Sequence, residues 1–384
     1  MKIINKEKCC GCAACVNACP KQCITMTEDE EGFLYPEADA VKCVDCRLCE
    51  KVCPFNKEEP LRNKKPSCYA VKARDEELRL NSSSGGVFSL IADSFYASEG
   101  IVYGVAMDED MKSCSMIRTT GTGELSRLRG SKYIQADVHD IYRYVKSDLE
   151  EGKQVLFSGV PCQINALKLF LNKEYDNLYC VEVVCHGVPS PLLWRKYIDY
   201  LEKKYGGRVQ SVGFRSKKAG WKKFSMAIDG DKFHLSKTLS EDPFLMMFLR
   251  NYCLRPSCYD CQAKKLESSA DLTLADSWGV WNTAPEMFDD KGTSLIMIQS
   301  DKGDELLKRI RELADHKEVS FAEAVSYNSA YSKSCDRPKC RGVFFADLNA
   351  VSFNTMIKKY ASISAKTRLK KLMPSSLLKR MLQK

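Results

Sequence analysis

Cys9-Cys10-Gly11-Cys12-Ala13-Ala14-Cys15-Val16-Asn17-Ala18-Cys19-Pro20 and Cys43-Val44-Asp45-Cys46-Arg47-Leu48-Cys49-Glu50-Lys51-Val52-Cys53-Pro54 are two copies of one pattern, C-x2-C-x2-C-x3-C-P, set 34 residues apart. This is the bacterial run that holds cubane iron-sulfur clusters, and its fourth cysteine ligates the other cluster. Two-residue spacers turn the backbone tightly enough to aim three sulfurs at one point. The runs therefore predict one 4Fe-4S centre on Cys9, Cys12, Cys15 and Cys53 and a second on Cys43, Cys46, Cys49 and Cys19. Zinc fits poorly, because its sites use separated C-x2-C pairs rather than triple runs closed by Cys-Pro. Disulfides need an oxidising compartment, and the opening MKIINKEKCCGC has no apolar leader, so a cytoplasmic chain with reduced thiols is expected.

The two runs end near Asn56 in a chain of 384 residues that is 44% hydrophobic and 28% charged, enough to bury a second core. The polar stretch NKEEPLRNKKP, ending at Pro66, reads as a linker, which gives a front module over 1–56, a linker over 57–66, a large domain over 67–345 and a tail over 346–384. No stretch supplies the roughly 20 apolar residues of a membrane span. The net charge of +9 sits in the tail: nine Lys or Arg and no Asp or Glu lie between Thr355 and Lys384. Nucleic acid is not expected as a partner, because no basic stripe is interleaved with aromatics. Two short amphipathic segments around Leu369–Met373 and Leu377–Leu382 present basic faces that suit an anionic membrane surface or an acidic protein, which leaves a peripheral membrane contact open.

In the large domain, strands are expected at Cys68–Ala73, Ile101–Met107, Val155–Phe157, Val181–Val184 and Ser294–Gln299. Helices are expected at Val87–Ser98, Ala166–Leu171, Leu192–Lys204 and Asp304–Ala314, with an antiparallel insertion over Val209–Leu235. The fold class is thus α+β or α/β: a small two-cluster ferredoxin module ahead of a larger mixed-sheet domain. Cys162 and Cys185 each follow a strand, at the carboxyl edge where open α/β sheets collect ligands, and Cys258 and Cys261 add a C-x2-C. Together they make a candidate four-thiolate site for a third cluster, with Cys253, Cys335 and Cys340 as competing ligands. Cys10, Cys23, Cys68, Cys114 and Cys180 read as structural. Ser82-Ser83-Ser84-Gly85-Gly86 precedes a helix, where unsatisfied N–H groups favour a phosphate; Arg129–Tyr133 and Phe157–Gly159 are similar small-residue loops. G-x-G-x-x-G, G-x4-G-K-[ST] and H-E-x-x-H are absent, and of the four histidines only His186 sits beside a candidate site.

The segments SSSGGVFSLIA, RGSKYIQAD, SGVPCQINALK, CHGVPSP and LRPSCYDCQAKK with DLTLADSWG, in this order over roughly Cys68 to Gly279, resemble the family of coenzyme F-420 hydrogenase/dehydrogenase beta subunits. A fused two-cluster ferredoxin domain is similar to what some bacterial members carry. The resemblance implies a flavoprotein with FAD and a further 4Fe-4S cluster on Cys162, Cys185, Cys258 and Cys261. It assigns flavin contacts to Ser83, Ser84, Gly85, Gly86, Lys132, Tyr133, Ser158 and Gly159, and names no catalytic residue. The implied activity is an oxidoreductase that links a hydride couple, reduced F-420, NAD(P)H or another donor, to a one-electron protein partner. Two alternatives belong to other classes: a polyferredoxin-like electron carrier without flavin, and a cluster-based redox sensor.

Overall fold

The computed structural model describes residues 5–56, 65–264 and 268–362. The linker expected over 57–66 lies outside the described residues except for Lys65 and Pro66, as do both amphipathic segments of the tail.

The front module carries a hairpin of β1 (Ile24–Glu28) and β2 (Leu34–Ala38). Asp29 closes its turn, its carboxylate accepting from the N–H groups of Glu31 and Phe33 at 3.1 and 3.0 Å. The large domain then supplies β3 (Ser67–Ala73), β4 (Ile101–Met107), β5 (Cys114–Thr119), β6 (Ala136–Asp137), β7 (Val155–Gly159) and β8 (Leu178–Val183). An antiparallel insertion follows, of β9 (Val209–Ser216), β10 (Ser225–Gly230) and β11 (His234–Thr238), and the sheet is completed by β12 (Leu272–Asp276), β13 (Ser294–Ile298) and β14 (Ala314–Val319). Among the described residues the main sheet runs β14-β3-β13-β12-β8-β7-β4-β5-β6. Its centre, β12-β8-β7-β4, is parallel, and antiparallel pairs flank it on both sides. The mixed sheet matches the expected class, and the parallel centre places several strand carboxyl ends on one rim.

Three elements differ from expectation for local reasons. The helix expected from Ala166 starts at Pro161, because proline pre-sets the first helical φ and Gln163 Oε1 accepts from the Val160 N–H at 3.1 Å. The helix expected to run to Ala314 ends at Ile310, and the sequence ADHKEV continues as β14 at the sheet edge, where only one flank pairs and charged residues are tolerated. The tail boundary expected at Phe345 falls inside the helix Arg341–Ala350. Phe344, Phe345 and Leu348 of that helix, with Met356 and Tyr360 of the helix Phe353–Tyr360, are buried in the core, so the packed body reaches Ala361.

The front module is packed into the same body. Cys9, Phe33 and Tyr35 share one apolar cluster with Trp194, Phe214 and Phe244. Arg341 pairs with Glu31 and donates to the Leu254 carbonyl, while Arg143 donates to the carbonyls of Asn17, Val16 and Cys19. These long-range bonds fix the cysteine runs against the large domain.

Candidate redox centres and the cleft between them

Left-handed residues shape both runs. Gly11 and Ala13 flank Cys12 with φ of 67° and 59°, and Asp45 and Arg47 occupy the equivalent places around Cys46 with φ of 50° and 57°. The reversal at each position swings successive sulfurs inward. Cys15 has Cys12, Cys9 and Cys53 as its cysteine neighbours, and Cys53 in turn faces Cys12 and Cys9, so the four cysteines expected to share the first centre converge. Cys19, Cys43, Cys46 and Cys49 line a second small pocket with Pro20 and Ile24. Cys23, expected to be structural, belongs to that pocket, its sulfur 3.4 Å from Cys19 Sγ. Cys46 is exposed, whereas Cys9 and Cys53 are buried, so the second centre is the one at the surface.

The third constellation also assembles. Cys162 faces Cys261 and Cys185, and Cys185 faces Cys258 and Cys261. The Val188 N–H donates to Cys258 Sγ at 3.4 Å. Burial pushes the thiol pKa of Cys53 and Cys185 up to about 12 and that of Cys258 to about 11. A buried thiol of this kind keeps its proton until a cation takes it, so the cysteines that converge at the first and third sites suit iron. Among the described residues no three His, Cys, Asp or Glu side chains close on a single metal ion; a cubane spreads its cysteines over separate iron corners.

Of the competing ligands, Cys335 reaches this site: its thiol lies 3.1 Å from the His186 carbonyl and is a neighbour of Cys185. Cys253 is fully buried in the apolar core, and Cys340 precedes the helix Arg341–Ala350. Cys10 corrects the reading of it as structural. Its thiol neighbours Cys12 of the first centre and Cys162 of the third, and it lines the cleft between them.

That cleft has a volume of about 570 Å³, within the usual range for a small-molecule site. It opens along the carboxyl ends of β7, β8 and β12. Seven of the eight residues expected to touch a flavin line it: Ser83, Ser84, Gly86, Lys132, Tyr133, Ser158 and Gly159. Gly85 points elsewhere, its N–H donating to Ser294 Oγ at 2.9 Å. The helix Val87–Tyr96 begins at the cleft without a side-chain cap, leaving first-turn N–H groups for an anion. Other expected contacts have structural duties. Ser83 Oγ accepts from Ser131 N at 2.8 Å, Ser84 donates to the Thr293 carbonyl, and Lys132 Nζ caps the carbonyls of Arg127, Leu128 and Arg129. Burial lowers the Lys132 pKa to about 7.

The far wall holds a group that no motif announced. Arg215 pairs with Asp276, which also accepts from Trp221 Nε1 at 3.0 Å. The guanidinium lies 4.3 Å from the Phe224 ring centroid, and Trp278 stacks on Trp221 at 4.8 Å. Arg215, Phe224, Phe248 and Trp278 give this end of the cleft an aromatic lining with one buried cation. The cleft thus joins a small-residue, anion-favouring end to an aromatic end, with Cys162, Cys185 and Cys12 lining it between the two.

Residues 152–325 match the family described as the C terminus of the beta subunit of coenzyme F420 hydrogenase/dehydrogenase, and residues 8–57 match the 4Fe-4S dicluster domain. The chain is similar to the F subunit of F(420)H(2) dehydrogenase from Methanosarcina mazei, 25% identical over 206 residues that cover 49% of this chain and 57% of that protein. The chain thus spans little more than half of that relative's length. An uncharacterized ferredoxin of Methanocaldococcus jannaschii is 41% identical over 54 residues, 14% of this chain and 69% of that protein. A chain of the F420-reducing [NiFe] hydrogenase complex from Methanosarcina barkeri superposes with a TM-score of 0.47 at 15% identity, covering 72% of this chain and 92% of that one. Over residues 152–325 the chain thus resembles the beta subunits of coenzyme F420 hydrogenase/dehydrogenase, an oxidoreductase-type family, and it carries a two-cluster 4Fe-4S domain in front.

Proposed function

We propose that the protein is an FAD- and 4Fe-4S-dependent oxidoreductase, with FAD in the cleft, three cubane centres and a hydride couple as its two-electron substrate. One observation carries the reading: a single cavity is lined both by Ser83, Ser84, Gly86, Ser158 and Gly159 and by Cys12, Cys162 and Cys185. A flavin, when bound, supplies the exchange between a hydride couple and single electrons. The uncapped helix at Val87 and the loops at Ser131 and Ser158 would hold its diphosphate end, and the aromatic wall with Arg215 would seat the ring of a hydride carrier. Cys162, Cys185, Cys258 and Cys261 would hold the cluster nearest the cleft, followed by the Cys9, Cys12, Cys15 and Cys53 centre. The centre at Cys19, Cys43, Cys46 and Cys49 opens to solvent and meets the external redox protein.

Reduced F420 is the hydride donor we favour, from the names of the matched family and of the relative in Methanosarcina mazei. The protein would act in the cytoplasm beside a protein partner, and the charge of its basic tail suits a membrane surface or an acidic protein. Anaerobic stopped-flow mixing with reduced F420 and, separately, NADH tests the donor. Flavin bleaching by reduced F420 is expected, and bleaching by NADH alone would remove F420 from the proposal.

A further inference from the structure

Arg255 precedes Cys258 by three residues, yet its side chain reaches across to the first cysteine run. It is 1% exposed, among the most buried large side chains in the protein. Nε donates to the Cys9 carbonyl at 2.7 Å, Nη1 to Gln135 Oε1 at 2.9 Å, and Nη2 to the Leu34 carbonyl at 2.9 Å and to Cys9 Sγ at 3.6 Å. The guanidinium also stands 4.1 Å from the Tyr35 ring centroid. Its own carbonyl accepts from the Cys258 N–H at 2.9 Å, so one residue touches a cysteine of the first centre and a cysteine of the third.

Each of these hydrogen-bond acceptors is a neutral oxygen or the Cys9 sulfur. A buried cation without a carboxylate is costly unless an anion lies near, and Cys9 and Cys12 both feel its positive charge. Thiolates on iron supply that anion. The equivalent run offers an internal comparison. There Arg47 has a side chain 69% exposed and lies 3.9 Å from Asp45, and Arg143, which reaches the Cys19 carbonyl, lies 3.3 Å from Asp140. Solvent and a carboxylate damp both of those charges.

We propose that Arg255 is a positioning residue that raises the reduction potential of the centre on Cys9, Cys12, Cys15 and Cys53 above that of its twin on Cys19, Cys43, Cys46 and Cys49. Reduction adds one negative charge to a centre, so an unscreened cation beside it favours the reduced form, and hydrogen bonds to the sulfurs act in the same direction. The otherwise similar pair of centres becomes unequal, and an electron rests on the buried one. This inference rests on the cluster assignment above.

EPR-monitored redox titration of the full, reconstituted chain tests it, with the two ferredoxin signals told apart by a Cys46→Ser variant. In Arg255→Met the reduction equilibrium of the buried centre is expected to fall at least about tenfold, 59 mV for one electron, with the exposed centre unmoved. Gln135→Glu puts a carboxylate on Nη1 while leaving Arg255 in place, and the same downward shift is expected, so the test survives if the methionine variant does not assemble. Unchanged midpoints in Gln135→Glu, or equal shifts of both centres in Arg255→Met, overturn the proposal. Absence of two cluster signals in the wild-type chain would instead overturn the cluster assignment.

Discussion

Gly11 separates Cys10 from Cys12 and packs against the large domain, so substituting it asks whether the cysteine run is seated there or merely tethered. At φ +67°, a Cβ would lie 2.9 Å from Arg255 Nη1 and still closer to Gln135 Nε2. Gly152 gives the matched control, with φ +79° and nothing within 4 Å of the same added atom. Left-handed backbone costs an L-residue about 1–2 kcal/mol, and the loss of glycine's freedom in the unfolded chain acts equally in both variants. Gly152→Ala should show only that balance. Gly11→Ala must also displace a guanidinium held by four hydrogen bonds, and one bond to a charged donor is worth about 1.5–3 kcal/mol. The difference between the variants should therefore be about 1.5–3 kcal/mol, a melting point lower by about 2–4 °C for Gly11→Ala at a common scan rate. Anaerobic thermal unfolding of reconstituted protein followed by circular dichroism measures it. Equal melting points for the two variants would mean that the run does not bear on Arg255 and Gln135 as described.

Cys162→Ser should lose about four of about twelve irons and keep both ferredoxin signals; unchanged iron would take Cys162 out of the third centre. Asp276→Asn leaves the Arg215 charge without its counter-ion in a site where the arginine side chain is 7% exposed, so it should cost about 3–5 kcal/mol, and a loss under about 1 kcal/mol by denaturant titration would contradict a buried pair. Burial, then the charges of Arg79 and Arg215, lowers the Lys217 pKa to about 7 from 10.5. Between those values the unfolded chain holds a proton that the folded chain has released, so this lysine's contribution to stability rises with pH by up to about 1.4 kcal/mol per unit. Wild type should gain on Lys217→Met from pH 7.5 to 9, and a constant gap between their unfolding curves would count against it.

The cysteine runs were legible because their chemistry is local: ligand spacing and the turn it needs lie within a dozen residues. The loops at Ser83, Lys132 and Ser158 were legible as small-residue turns after strands or before helices, and the sheet brings them together because its central strands are parallel. What escaped the sequence depends on distance along the chain. Arg255 meets Cys9 across 246 positions, and Arg215 meets Asp276 across 61, with no spacing rule to announce either contact. Cys10 looked redundant beside Cys9, and its place between Cys12 and Cys162 exists only once the helix at Pro161 docks on the front module. β14 was missed because only Ala314 and Val319, at the two ends of ADHKEV, are buried and charged residues fill the middle, as edge strands allow.

Iron and extracted flavin per chain, measured after anaerobic purification and cluster reconstitution, test the central claim most directly. About 12 iron and one FAD are predicted, one cubane for each converging set of cysteines and a flavin for the cleft. About eight iron with no flavin would contradict it, leaving a two-cluster ferredoxin on a scaffold whose cleft serves another ligand.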